Sequence, residues 1–215
     1  MKYPVIAEEI FTEEEMREIA EEAIKGWKVK RNPLWLEIKS LDQENKTTMG
    51  KIAKRIYETI EANCIVEISN KSGLEIWINI NKKHGLHYDC DESLRKLTGL
   101  IKHPFISSVY YLEVPEEGGE LVLYKNATKK ALQDVYGGIK KSEELGTPEI
   151  IRPRKNNLVV FESTIPHYVE GWIKGKTRIS VAANLWLKKP TEPDRPFNTL
   201  IETMKELDQE NRAGE

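Results

Sequence analysis

His87-Tyr88-Asp89 sets an imidazole and a carboxylate two residues apart, and in an extended segment that spacing turns both to one face. With four His and six Asp in 215 residues, chance supplies only about 0.1 such pairs. His167 lies farther along, after Phe161-Glu162-Ser163-Thr164-Ile165-Pro166, where an apolar run ends in a turn. Two His and one carboxylate form the facial ligand set of non-haem Fe(II) sites. Such a set leaves the opposite side of the ion open, so a chelating cosubstrate and O2 can bind together.

Ten residues separate His167 from Arg178, which heads the segment Arg178-Ile179-Ser180-Val181-Ala182-Ala183-Asn184-Leu185-Trp186. Read as a strand, the segment has two unlike faces. Arg178, Ser180, Ala182, Asn184 and Trp186 give one face a charge and small or polar groups, which suits a ligand-lined interior. Ile179, Val181, Ala183 and Leu185 give the other an apolar surface that suits packing under helices. A guanidinium at the head of that strand offers two parallel donors to a carboxylate.

These residues need elements to position them. Thr12-Glu13-Glu14-Glu15 has the form of a capping box, and Met16, Ile19, Ala20, Ala23 and Ile24 recur behind it at helical spacing until Gly26. A second helix is expected over Asp42 to Asn63, with Met49, Ile52, Ala53, Ile56, Tyr57 and Ile60 on one stripe, and a strand around Trp35 to Ile38. Past residue 64 the period changes to two. Ile76, Ile78 and Ile80 alternate with Glu75, Trp77 and Asn79, and strands are expected at Phe105 to Val114, Leu121 to Tyr124, Leu158 to Phe161 and Ile179 to Leu187. Short strands so spaced form a sandwich or barrel.

Residues 125–148 interrupt the strands with a lysine-rich stretch (Lys125, Lys129, Lys130, Lys140, Lys141) that reads first as a solvated face. One short helix is expected there (Ala127 to Tyr136), and a lid or binding loop is the expected role. Pro190, Pro193 and Pro196 mark a stiff linker before a last amphipathic helix bearing Phe197, Leu200, Ile201, Met204 and Leu207.

Composition sets the outer bounds. A chain of 215 residues, 39% hydrophobic and 32% charged, is neither collagen-like nor disordered and fits one domain with appendages. Its 33 basic and 35 acidic residues leave a net charge of −2, so no basic field gathers phosphates and nucleic acid is not expected as a partner. No apolar run approaches the roughly 18 residues of a membrane span. Cys64 and Cys90 cannot build a disulfide framework, and the N-terminus turns acidic at Glu8 and Glu9, so a cytoplasmic setting is expected.

Between Trp77 and Trp186 the sequence resembles the Fe(II)- and 2-oxoglutarate-dependent oxygenases, most closely their prolyl-hydroxylase-like branch. The resemblance rests on His87-x-Asp89, Ser108-Val109-Tyr110-Tyr111-Leu112, Gly118-Gly119-Glu120-Leu121, and His167 followed by Arg178. It implies an α+β fold: a double-stranded β-helix (jelly-roll) core over residues 64–189, a mainly helical buttress over 1–63, and a Pro-rich linker and C-terminal helix over 190–215. It also implies that His87, Asp89 and His167 hold iron. Arg178 would clamp the distal carboxylate of 2-oxoglutarate, with Ser180 completing an Arg-x-Ser pattern and Tyr111 reaching the same carboxylate. Asn79 or Trp77 would line the pocket, and Leu121 and Val169 would form its apolar wall. The implied reaction hydroxylates an unactivated C–H bond while 2-oxoglutarate and O2 become succinate and CO2, with ascorbate as a candidate reductant. The halogenase variant is disfavoured because Asp89 fills the ligand position that halogenases leave to chloride.

Substrate class is less fixed. The nucleic-acid-dealkylating branch carries a second arginine six residues after the clamp, where this chain has Asn184. Collagen-type prolyl hydroxylases use lysine where this chain has Arg178, whereas oxygen-sensing and bacterial ones use arginine. A protein or peptidyl residue such as proline is therefore expected, with a free amino acid or small metabolite as the alternative. A cupin-like metalloprotein without 2-oxoglutarate and a β-sandwich interaction module with incidental histidines also stay open, and the Arg178–Tyr111 clamp discriminates against both. His84 and His103 read as structural, Tyr110 stands one register from Tyr111, and Cys90 is expected to face outward. Asp91 and Glu92 are expected to be solvated, with Asp91 a rival carboxylate.

Overall fold

The computed structural model describes residues 4–26, 33–44, 47–63, 72–81, 83–127, 145–174 and 177–191; at 21–26, 44 and 172–174 it describes the backbone alone. The chain runs β1 (Val5–Ala7), α1 (Glu13–Gly26), β2 (Leu34–Glu37), a 3-10 turn (Ile38–Ser40), α2 (Leu41–Glu44), α3 (Thr48–Asn63), β3 (Gly73–Ile80) and β4 (His84–His87). It continues through α4 (Glu92–Thr98), β5 (Ile106–Glu113), β6 (Glu117–Gly118), β7 (Leu121–Leu123), β8 (Glu149–Ile151), β9 (Leu158–Phe161), β10 (His167–Val169), β11 (Trp172–Lys174) and β12 (Ile179–Trp186). The expected helix at Ala127 to Tyr136 lies almost wholly, and the one after Pro196 entirely, outside the described residues.

Antiparallel pairing builds a six-stranded sheet in the order β1-β9-β5-β12-β3-β2, a four-stranded sheet β4-β10-β7-β8, and a two-stranded ribbon β11-β6. The alternation in β12 sorts the large sheet into two faces. Tyr110, Leu112, Leu158, Val160, Val181, Ala183, Leu185, Leu74 and Ile76 join Met16 and Ile19 of α1 and Ile52, Ala53, Ile56 and Ile60 of α3 in one buried cluster. Tyr111, Val159 and Phe161 face the other way and meet Leu121, Leu123, Ile151 and Val169 of the small sheet. Two antiparallel sheets face to face, with helices behind the larger, is the arrangement a jelly-roll core requires.

Local chemistry explains the helix starts. Thr12 and Glu15 form the expected capping box, with Glu15 N donating to Thr12 Oγ1 at 3.2 Å and Thr12 N donating to Glu15 Oε2 at 2.8 Å. The single helix expected from Asp42 divides into α2 and α3 instead. The N-terminal region, expected to be mainly helical, also supplies both edge strands of the large sheet, β1 and β2. Among the described residues no helix is long and apolar enough to cross a membrane.

Candidate active site

His87 ends β4, His167 begins β10, and these strands pair so that the two residues stand opposite each other. Their ring centroids are 4.3 Å apart. Asp89 lies two residues past β4, and its Oδ2 is 3.8 Å from His167 Nε2. One ligand atom from each of His87, Asp89 and His167 falls within 4.8 Å of the others, a group able to hold a metal ion.

The surroundings orient each ligand. His87 Nδ1 lies 2.7 Å from the Gly85 carbonyl and His167 Nδ1 lies 2.9 Å from the Ile165 carbonyl. A carbonyl needs a donor, so in the neutral rings Nδ1 carries the hydrogen and Nε2 presents its lone pair. Burial, helped by His87 and opposed by Asp89, pushes His167 down to about 4, which holds its imidazole neutral. Phe161 braces that ring edge-on at 4.9 Å. The Ser107 hydroxyl donates to Asp89 Oδ2 at 2.6 Å, while His103 Nδ1 lies 2.7 Å from the Asp89 carbonyl. Neither Ser107 nor His103 stood out in sequence, because each acts through Asp89.

Register places the second half of the site on the inner face of the large sheet. Ser180 pairs with Tyr111 on one side and Asn79 on the other, forming one row across β5, β12 and β3. Arg178 precedes this row, 1% exposed, and donates to Ser180 Oγ at 2.8 Å. Its guanidinium carbon sits 5.4 Å from the centre of the Tyr111 ring. Gly119, at φ +75, permits that placement: a Cβ there would come within 3.1 Å of Arg178 Cδ. Tyr110 turns to the helices instead, where its hydroxyl meets Met16 Sδ at 2.8 Å. The expected wall residues Leu121 and Val169 pair across β7 and β10 and pack in the same cluster as Tyr111. Asn79 is buried and meets His84 Nε2 at 3.3 Å through its Oδ1.

A fit to a small dicarboxylate follows from what this row lacks. Among the described residues no carboxylate pairs with Arg178, its Nε is buried without a hydrogen-bond partner, and the buried Tyr111 hydroxyl has only that guanidinium beside it. Burial lowers the Arg178 guanidinium and pushes the Tyr111 phenol up to about 12, the neighbouring guanidinium opposing the latter shift. A buried cation and a buried hydroxyl left this way are costly unless a ligand completes them. A carboxylate satisfies both.

Residues 98–184 match the family model of the putative 2OG-Fe(II) oxygenases. The match spans fewer than half of the 215 residues and takes in Tyr111, His167, Arg178 and Ser180, but not His87 or Asp89. A Pseudomonas putida prolyl-4-hydroxylase superposes with a TM-score of 0.52 at 15% identity, covering 88% of this chain and 87% of that one. A truncated collagen prolyl hydroxylase of Paramecium bursaria Chlorella virus-1 gives 0.51 at 17% identity, covering 86% and 89%. The non-heme alpha-ketoglutarate-dependent epimerase SnoN of nogalamycin biosynthesis gives 0.55 at 14% identity, covering 85% and 78%. At these identities the likeness is one of fold. Comparison with curated proteins finds no match.

Two expectations for this site are corrected. Asp91 is not solvated and is no rival ligand: it is 4% exposed, accepts from Leu94 N at 2.8 Å as the N-cap of α4, and from Thr191 N at 2.6 Å. Cys90 does not simply face outward but helps line the cavity beside His87 and Asp89.

Proposed function

We propose that the protein is a 2OG-Fe(II) oxygenase of the prolyl-hydroxylase-like kind, in which His87, Asp89 and His167 hold Fe(II), Arg178 with Ser180 and Tyr111 binds the distal carboxylate of 2-oxoglutarate, and a C–H bond of a protein or peptidyl residue such as proline is hydroxylated. The observation that carries this reading is Arg178, a buried guanidinium with no carboxylate partner among the described residues, on the inner side of the large sheet that faces the small sheet bearing His87 and His167. When bound, Fe(II) and 2-oxoglutarate supply the oxidising power, 2-oxoglutarate and O2 giving succinate, CO2 and an oxygen atom for the substrate.

The protein's own part is placement. The Gly85 and Ile165 carbonyls engage both Nδ1 atoms, so Nε2 of each ring would be the atom that holds the metal. Ser107 fixes one carboxylate oxygen of Asp89. Arg178 and Tyr111 set the direction in which the diacid enters, and Leu121, Leu123 and Val169 keep water from its stem. The prolyl-hydroxylase-like build supports a peptidyl substrate.

Anaerobic titration of the Fe(II)-loaded protein with 2-oxoglutarate tests the reading. A visible charge-transfer band that saturates, and succinate release in air with iron and ascorbate, are the expected results. Metal binding without affinity for 2-oxoglutarate would instead mark a cupin-like metalloprotein. A mass gain of one oxygen atom on a proline-containing peptide identifies the substrate class; the same gain on a free amino acid alone would reassign it.

A further inference from the structure

Beside the triad the inner face opens into a cavity of about 600 Å³ that runs from His87 and Asp89 to Trp35, Glu75, Trp77 and Asn184. Alternation builds its wall: Gly73, Glu75 and Trp77 are successive inner-face positions of β3, and Trp35 of β2 pairs directly across from Glu75. The Trp35 ring presses against Gly73, where a Cβ would come within 2.3 Å of the indole. Glycine is therefore what lets this ring lie close against the strand beside Glu75.

Most of the acidic groups lining the cavity are already engaged. Asp89 belongs to the triad, Asp91 caps α4 and binds Thr191, and Glu92 pairs with Arg95 and Lys96. Glu75 is different. Its Oε2 accepts the Trp186 indole N–H at 3.0 Å, and no other donor reaches the carboxylate among the described residues. That bond, from a side chain 1% exposed, fixes the carboxylate against the wall and leaves Oε1 for a donor from the cavity. The exposed Lys189 also lines the space, but no described contact joins it to Glu75.

Indole faces attract cations, and a half-buried carboxylate needs a charged donor more than an exposed one does. We propose that this cavity receives a positively charged nitrogen of the substrate, an ammonium or guanidinium, with Glu75 as its acceptor and the Trp35 and Trp77 rings as its walls. Within the peptidyl class this makes the reacting residue a basic one, or an amine, in place of proline, with its reacting carbon toward the triad. This rests on the reading of His87, Asp89 and His167 as the reaction centre.

The test is binding to the protein loaded with Fe(II) and 2-oxoglutarate under anaerobic conditions, followed by calorimetry and tryptophan fluorescence. The probes are the N-acetyl N-methylamides of lysine, arginine, norleucine and proline. Lysine or arginine should bind about tenfold or more tightly than norleucine, which keeps the stem without the charge. Which of the two wins separates ammonium from guanidinium. Glu75→Gln should reduce that preference to about threefold or less, and Trp77→Leu should weaken the cation and diminish its fluorescence response. Equal binding of all four probes, tighter binding of proline, or a preference that survives both substitutions overturns the proposal. The charge-transfer band separates the two levels: its absence from the wild type removes the reaction-centre reading as well, whereas a normal band without cation preference removes this inference alone.

Discussion

The Ser107 hydroxyl holds Asp89 Oδ2 at 2.6 Å, although the two stand eighteen positions apart in sequence. This bond leaves Asp89 one committed oxygen and one free, and it ties the triad to the middle strand of the inner face. Outer partners of this kind are worth about 10- to 100-fold in metal affinity. Ser107→Ala should therefore weaken Fe(II) or Mn(II) binding by that factor, read by calorimetric titration. An unchanged affinity would show that the loop after β4 positions Asp89 unaided.

Arg178 should be the residue on which cosubstrate affinity depends most. Removing one partner of a buried charge pair costs about 2–5 kcal/mol, so Arg178→Ala should weaken 2-oxoglutarate binding by about 30-fold to several thousand-fold. A KM within threefold of wild type would refute the assignment. Gly119→Ala tests the same placement from behind, since its Cβ would stand 3.1 Å from Arg178 Cδ at a φ of +75. The guanidinium must shift, so affinity for 2-oxoglutarate should fall while the metal titration of the triad stays as it was.

Tyr111→Phe should act in opposite directions on stability and on binding. The phenol hydroxyl is buried, and among the described residues only the Arg178 guanidinium stands beside it. Removing it should raise stability by about 1 kcal/mol, a Tm increase of about 2–4 °C in a domain of this size. The same change removes a donor to the diacid and should loosen 2-oxoglutarate several-fold. A fall in both quantities would mean that the hydroxyl has a protein partner rather than a ligand.

Long elements were legible in sequence because their periods are. The capping box at Thr12, the stripe through Ile52 and Ile56, and the two faces of β12 all stand where pattern places them. The triad was legible because His87-x-Asp89 and a histidine after an apolar run keep their spacing whatever surrounds them. Strands β4 and β10, four and three residues long, are too short to show a period, although they carry both imidazoles. Tyr111 could not be separated from Tyr110 until the β12 register turned one to Arg178 and the other to Met16. His103, Ser107 and Asp91 were misjudged or passed over because their partners, Asp89 and Thr191, lie far away in the chain.

Glu75 gives a pH signature opposite in sign to that of His167. Burial, opposed by the Trp186 indole and aided by Asp89, pushes its carboxyl up from 4.5 to about 7. The unfolded chain releases this proton near 4.5, so between pH 4.5 and 7 the folded protein holds more of it. Stability from this group is thus fully present below the unfolded value and is lost as pH rises through the folded one. Discounted for partial exposure, the loss is about 2 kcal/mol. His167, which burial holds down at about 4, contributes with the opposite sign below pH 6.5, so the signal is the difference between two metal-free proteins: from pH 5 to pH 8 wild type should lose about that much stability relative to Glu75→Gln, which cannot ionise. Parallel pH profiles for the two proteins would place the Glu75 carboxylate in water, with no energetic stake in the cavity it lines.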